Sequence, residues 1–412
     1  MKYFCKHNEV RGNISQLEIK RANLARVFSL IEKKHGLSRT SIAKEVHLTK
    51  ATVSSLVDEL CEKGLVMQIG MGESVTGRKP ILLEINPDGA MFPVLVLRPT
   101  GIRYMLYNLC FEQLETVFRP FPAGFREDGE SASDKIASIA LELLHKDAQK
   151  INWDKVPTVC LCYPGSFRWD RNLFSSSVLQ TRTKAEFVQK IYANIKGKPL
   201  FLENESTCVA YAEMCARYGQ NEDMVFINIS DGIGHERIEK GRMRCKDDET
   251  PLEFGHITIN MNGRECLCGN RGCVERYVSC SAIVKDVVDK IREGEKSMVT
   301  DLVGGDLDAV SIDTLRLASE ANDQLVNSVL REASRCLAYA INNLTCVQNT
   351  GEIVLGGGIE RVGERFLNFV RESIACIGCR NKMDRVQVSY TVLKENADSE
   401  GIVRQYVDSY MP

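Results

Sequence analysis

His256, Cys266, Cys268 and Cys273 are the residues of this chain whose types and spacing most clearly suit metal chemistry. Three thiols fall within eight residues, and an imidazole lies ten positions upstream. Together they make the Cys₃His set that a tetrahedral Zn²⁺ takes in a closed structural site. Gly269 and Gly272 stand between the second and third thiols, where the backbone must curl and a positive φ costs little only for glycine. The plain alternatives are chance clustering among sixteen cysteines, or a disulfide. A correctly spaced His and two turn glycines favour one structural Zn²⁺ per chain.

The rest of the composition bounds where such a loop would work. With 412 residues the expected organisation is two or three domains, each able to bury its own core. Apolar content of 44% and charged content of 26% are ordinary for a soluble globular protein. No stretch approaches a membrane span, and Met1–Asn8 carries no apolar signal-like run. Sixteen cysteines without such a run predict reduced thiols in a cytoplasmic protein, most of them small core residues. Cys376-Ile-Gly-Cys379 has redox-like spacing but no supporting surroundings, and reads as incidental. The net charge of −2 hides an asymmetry: residues 1–80 hold 14 Lys and Arg against 8 Asp and Glu, and the remainder is acidic. A basic head on an acidic body predicts that only the head meets a polyanion.

The head has the pattern of a winged helix-turn-helix. Ile19, Leu24, Val27, Phe28, Leu30 and Ile31 recur near helical spacing before Gly36. Ser38 caps a second helix over 39–46, and Thr49 caps a third over 50–63 whose inner face is Val53, Leu56, Val57 and Leu60. Lys50, Ala51, Thr52, Ser54 and Ser55 surround the start of that third helix. Short side chains there allow close approach to a major groove, with hydroxyls and a methyl to read base edges. Residues 65–69 and 80–85 alternate like two strands around a glycine-rich wing, and Arg78 and Lys79 at its base suit phosphates or a minor groove. The alternative is a helical protein-interaction domain with a solvated basic face. The domain boundary is expected at 85/86, giving a head of 1–85 and a body of 86–412.

In the body, strands are predicted at 92–97, 103–109, 158–162, 200–202, 224–229 and 353–355. Helices are predicted at 131–146, 184–195, 207–218, 312–345 and 361–375. Hairpins followed by alternating helices and strands, occurring twice, suggest two similar α/β halves around a cleft.

With these elements in place the chain resembles the ROK family of repressors and sugar kinases, in particular its xylose-repressor and N-acetylglucosamine-repressor types. The residues that carry the resemblance are Thr76-Gly-Arg-Lys-Pro80, Pro164-Gly165, Glu203-Asn-Glu205, Glu253-Phe-Gly-His256, the Cys266–Glu275 run and Leu355-Gly-Gly-Gly358. The resemblance implies a two-lobed α/β actin/hexokinase-like (ROK sugar-kinase-like) body with a zinc site. It also implies that Asn204, Glu205, Glu253, His256 and Glu275 line a pocket for a hexose-like ligand, with His256 using one ring nitrogen on the metal. In the kinases of this family an Asp removes the sugar proton, where this chain has Glu205. The first phosphate loop is replaced by Leu97-Arg-Pro-Thr-Gly101 and the second by Ser230–Arg237, where Asp231 and Glu236 would face a triphosphate. Phosphoryl transfer depends on electrostatic positioning, so no catalytic residue and no kinase activity is expected.

The reading is therefore a cytoplasmic, sugar-responsive repressor of carbohydrate-metabolism genes. Its expected partners are a double-stranded DNA operator with an inverted repeat, a sugar or sugar-derivative effector, and further copies of itself in a homodimer or higher homo-oligomer, with no membrane. The alternatives are a ROK sugar kinase with a fused DNA-binding head, or a repressor answering to a protein partner. The polar Met243–Pro251 segment would allow the last.

Overall fold

The structure is a computed structural model, and it describes residues 16–71, 79–125, 132–217, 223–243, 253–348, 350–377, 386–393 and 395–411. The head opens with α1 (Gln16–Lys33), β1 (Leu37–Ser38), α2 (Arg39–Glu45) and α3 (Lys50–Glu62), followed by β2 (Val66–Met71) and β3 (Ile81–Ile85). Ser38 Oγ accepts from the Ser41 amide and Thr49 Oγ1 from the Thr52 amide, so both expected caps start their helices. Leu24, Val27, Phe28 and Ile31 are buried against Val53, Leu56, Val57 and Leu60 of the head's core. Ile19 is instead 50% exposed. Five residues before Leu24 it lies about 140° round a 3.6-residue helix, off the inner face. β1, β3 and β2 form a small sheet, and the wing that joins β2 to β3 lies outside the described residues except for Lys79 and Pro80.

The chain divides into two compact units, 1–163 with 184–203 and 399–412, and 164–183 with 204–398. In chain order β4 (Met91–Arg98), β5 (Gly101–Asn108), β6 (Gln113–Pro120), α4 (Ala132–Glu142) and β7 (Val159–Tyr163) come first. Short β8 (Ser166–Arg168), β9 (Leu173–Ser176) and β10 (Thr181–Lys184) follow, then α5 (Glu186–Ala193) and β11 (Leu200–Asn204). The first unit is built on the sheet β11-β7-β4-β5-β6, and the head belongs to it. Asn86 fastens the head: its amide donates to Leu65 O at 2.9 Å and its Nδ2 to Gly64 O at 2.8 Å, just past the end of α3.

The second unit contains α6 (Glu205–Ala216), β12 (Met224–Ile229), β13 (Ile233–Glu239), β14 (Arg242–Met243), α7 (Glu275–Val278), α8 (Cys280–Arg292), α9 (Val299–Leu302), α10 (Ile312–Glu320), α11 (Gln324–Val347), β15 (Glu352–Gly356), α12 (Glu364–Ala375) and β16 (Gln387–Tyr390). Its sheet runs β14-β13-β12-β15-β16, with β12 and β15 parallel and β12 and β13 a tight antiparallel hairpin. A last helix, α13 (Ala397–Tyr410), returns the chain to the first unit. There Tyr406 packs edge-on to Phe92 and Phe201, and Ser399 Oγ lies 2.8 Å from Tyr107 Oη.

Two expectations are corrected. The helix expected over 312–345 is two helices, because Asn322 takes φ +65° and the Asp323 carboxylate accepts from the Val326 amide at 2.9 Å. A short acidic side chain that bonds nearby backbone amides starts a helix and does not continue one. Most of the segment expected as a second phosphate loop is strand β13, whose Ile233 pairs with Ile229. Helices α8 and α13 and strand β6 were not anticipated.

Candidate functional site

The metal loop is organised by its own backbone. The Cys266 amide donates to Asn270 O at 2.8 Å and the Gly272 amide to Arg264 O at 2.8 Å, closing a tight double turn. Gly272 has φ +69°, and a Cβ there would lie 1.7 Å from Asn260 O, so only glycine fits. The ligand atoms of His256, Cys266, Cys268 and Cys273 all lie within 4.8 Å of one another. Cys268 Sγ is 3.7 Å from Cys273 Sγ, and Cys266 Sγ is 3.6 Å from His256 Nδ1. A tetrahedral Zn²⁺ with bonds of about 2.3 Å to sulfur and about 2.0 Å to nitrogen sets these edges near ~3.8 and ~3.5 Å. The three cysteines are not joined in disulfides in this structure. Burial pushes the Cys266 and Cys273 thiols up, the direction a bound cation would reverse. The donor set and its spacing therefore fit a divalent metal ion.

Beside the loop, within the second unit, is a cavity of about 610 Å³. Asn204, Glu205, Glu253, His256 and Glu275 all line it. Each is set there by an identifiable element. Asn204 caps α6 through Oδ1 on the Ser206 amide at 2.8 Å, and its Nδ2 donates to Gly165 O at 2.8 Å, so its amide is a fixture of the wall. Glu205 is the first residue of α6 and is buried, where the helix N-terminus favours a negative charge. Glu275 starts α7 directly after Cys273 and Val274, is buried, and its Oε2 accepts from the Ile233 amide at 3.1 Å. His256 turns Nδ1 to Cys266, while its Nε2 is 3.6 Å from Glu253 Oε2. Partial burial raises the Glu253 pKa, His256 opposes that shift, and the Glu275 charge adds to it.

Several lining residues were not anticipated from the sequence. Ser166, Ser175, Ser176, Gln180 and Arg182 come from β8–β10 and the turn between them, a stretch without a motif. Glu236, expected to face a triphosphate, does line the cavity, but it is buried and accepts from Thr207 Oγ1 at 2.6 Å. Asp231 is exposed at the hairpin tip. The first replaced phosphate loop is a two-residue hairpin in which Arg98 pairs with Gly101.

On the head, Lys50, Ala51 and Ser55 are exposed at the start of α3, and Thr52 and Ser54 are half-buried beside them. The Thr52 hydroxyl lies 2.8 Å from Thr49 Oγ1 and is part of the cap. Lys79 is exposed, whereas Arg78 lies outside the described residues, as do Cys379 and the segment 244–252. Arg39 binds Asp58 at 2.7 Å across α3, an ion pair the sequence reading did not foresee.

The ROK family profile matches residues 130–403, and a winged helix-turn-helix DNA-binding profile matches residues 23–67. The chain belongs to the ROK family. Over 398 residues it is 24% identical to the xylose repressor of Caldicellulosiruptor bescii, covering 95% of this chain and 97% of that one. Its fold matches the crystal structure of a ROK family transcriptional regulator, homologue of the E. coli MLC protein. That match has a TM-score of 0.75 at 23% identity and covers 95% of this chain and 97% of the other. A ROK family glucokinase from Streptomyces griseus, solved with glucose and AMPPNP, matches 77% of this chain and 99% of its own. Its TM-score is 0.62 at 20% identity, and this likeness is of fold alone.

Proposed function

We propose that this ROK family protein is a carbohydrate-responsive, DNA-binding transcriptional repressor of carbohydrate-metabolism genes, without kinase activity. The observation that carries the reading is the pairing, in one chain, of a winged helix-turn-helix with a cavity lined by Glu205, Glu253, His256 and Glu275. Carboxylates accept strong charge-assisted hydrogen bonds from vicinal hydroxyls, which is the chemistry of sugar recognition. The full-length similarity to a xylose repressor supports the regulatory half. One structural Zn²⁺ held by His256, Cys266, Cys268 and Cys273 would lock the loop that leads into α7 and Glu275. Lys50, Ala51, Thr52, Ser54 and Ser55 would read base edges, with Arg78 and Lys79 on the DNA backbone. A cytoplasmic homodimer on an inverted repeat fits a single recognition helix per chain. Among the described residues no helix is long and apolar enough to cross a membrane.

Against kinase chemistry stand the tight Arg98–Gly101 hairpin, with no carboxylate to organise Mg²⁺, and the Glu205 carboxylate where the family's kinases use the shorter Asp. Coupling is assigned to α13. Gln405 Nε2 donates to Glu203 Oε2 at 3.1 Å, one residue before Asn204 and Glu205. The preceding Arg404 bonds Glu32 of α1 at 3.1 Å and stacks over Phe111 at 3.9 Å. A ligand that favours one arrangement of this helix shifts the head by its differential affinity.

Selection from a random duplex pool, beside a coupled phosphorylation assay over a sugar panel, tests the reading. Enrichment of an inverted repeat with turnover below about 1 s⁻¹, the low end of ordinary enzymes, is expected. Faster turnover with no retained DNA makes the protein a kinase.

A further inference from the structure

Glu275 sits in a narrow slot. Its Oε2 accepts from the Ile233 amide at 3.1 Å, and a Cβ added at Gly232 or Gly255 would lie 3.3 or 3.2 Å from that oxygen. The helix that presents this carboxylate, α7, is a single turn of four residues without a side-chain cap. So short a helix has no stability of its own, and its neighbours must set its orientation. Val274 and Val278 are buried in the core of the second unit. They lie about 40° apart round the helix, so they form one apolar line about which the turn can still roll. Glu275 falls on one flank of that line and Tyr277 on the other, about 160° apart.

Ahead of Glu275, the Val274 amide donates to Ile257 O at 3.0 Å and Cys273 belongs to the candidate metal set. The far flank is held by Arg264, two residues before Cys266. Its amide donates to Tyr277 Oη at 2.9 Å. Its Nη1 donates to Arg276 O and to Asp286 Oδ1 of α8, both at 2.8 Å, and its guanidinium carbon lies 4.6 Å from the centre of the Tyr277 ring. This approach requires glycine at 263, where a Cβ would stand 2.1 Å from the tyrosine hydroxyl. One side chain thus joins the metal loop, α7 and α8.

We infer that Arg264 is a positioning residue for the cavity: with Tyr277 and Asp286 it sets the roll of α7 and so holds Glu275 in its slot. Arg264 does not line the cavity itself and acts through Glu275. The planar guanidinium can bond two acceptors and stack on a ring at once, which fixes direction as well as distance. The candidate metal set and this clamp hold opposite ends of the same turn, and loss of either displaces the carboxylate. The inference deepens the carbohydrate reading given above and rests on it for the affinity measurement alone.

Amide hydrogen exchange at Ile233 in the full chain reads the position of Glu275 without any ligand, with Ile227 of β12 as the internal reference. In Arg264→Met the Ile233 amide should exchange about tenfold faster, and in Tyr277→Phe about threefold faster, with Ile227 and the metal content unchanged. Isothermal titration supplies the second arm, with xylose, glucose, mannose and N-acetylglucosamine as probes and the last three also as their 6-phosphates. Any probe that binds wild type should bind Arg264→Met about tenfold more weakly. In a Glu275→Gln background the same substitution should cost about twofold or less, because the clamp works through that carboxylate. Ile233 exchange unchanged in both variants, loss of metal from them, or an equal affinity loss in both backgrounds overturns the inference and leaves the carbohydrate reading standing. Binding of no probe to wild type removes the carbohydrate reading, and the exchange measurement still decides the clamp. Should Arg264→Met melt early, Tyr277→Phe, which keeps the stacked ring and removes only the hydroxyl, decides in its place.

Discussion

The candidate metal set and the cavity lining share two residues, His256 and Cys268, yet the two sites are built in opposite ways. All four candidate metal ligands lie between residues 256 and 273, held by hydrogen bonds within that stretch. The cavity wall draws on β8–β10, α6, β13, residues 253–256 and α7, which lie far apart in sequence. The difference teaches a direction of dependence. Glu275 follows Cys273 by two residues and His256 is itself a candidate ligand, so the proposed dependence runs from the cavity to the loop.

Removing the metal should therefore have the largest effect. Structural Zn²⁺ binding is worth about 10 kcal/mol or more in small domains. Cys273→Ser, or a strong chelator, is expected to release the metal and lower the melting temperature by roughly 20 °C or more, at about 2–4 °C per kcal/mol. Carbohydrate affinity should fall with it. Ligand binding that persists in metal-free protein would break the proposed dependence. The reverse change is predicted to be smaller and one-sided. Glu275→Gln keeps the shape and removes a charged acceptor, worth roughly 1.5–3 kcal/mol, or about tenfold to a hundredfold in ligand affinity. Metal content measured by elemental analysis should stay unchanged, as should operator affinity without ligand.

What could be read from sequence follows the same division. The metal set, the two helix caps and the inner face of α3 depend on spacing within one or two turns, and the geometry of each follows the pattern. Arg182 gave no such signal, because β10 is four residues long and its neighbours across the cavity are distant in sequence. The five expected cavity residues were brought together by family resemblance, not by periodicity. Periodicity also failed at Asn322–Asp323, where apolar spacing continues through a break made by one αL residue and one capping carboxylate. The segment expected as a phosphate loop became β13 because pairing with β12 decides a strand, and pairing is not local.

Two smaller effects sharpen the contrast between the cavity and the head. Arg404→Met breaks a partly buried pair with Glu32, whose side chains are 23% and 21% exposed, and should cost about 1 kcal/mol of stability. Carbohydrate affinity should remain, but the ligand should release the operator less completely, which anisotropy at saturating ligand reads directly. Lys79→Ala should weaken binding to all duplex sequences alike and reduce the salt dependence by about one counterion. A sequence-selective loss at Lys79 would move it from the DNA backbone to a base edge.

The central claim is that one chain links carbohydrate in the cavity to DNA on the head. Its most direct test is fluorescence anisotropy of the selected duplex with wild type and Glu275→Gln, titrated with the sugar and sugar-phosphate panel. The account predicts that one carbohydrate releases wild-type protein and that Glu275→Gln needs about ten to a hundred times more of it. Operator binding indifferent to every carbohydrate, in protein shown by calorimetry to bind one, would contradict it.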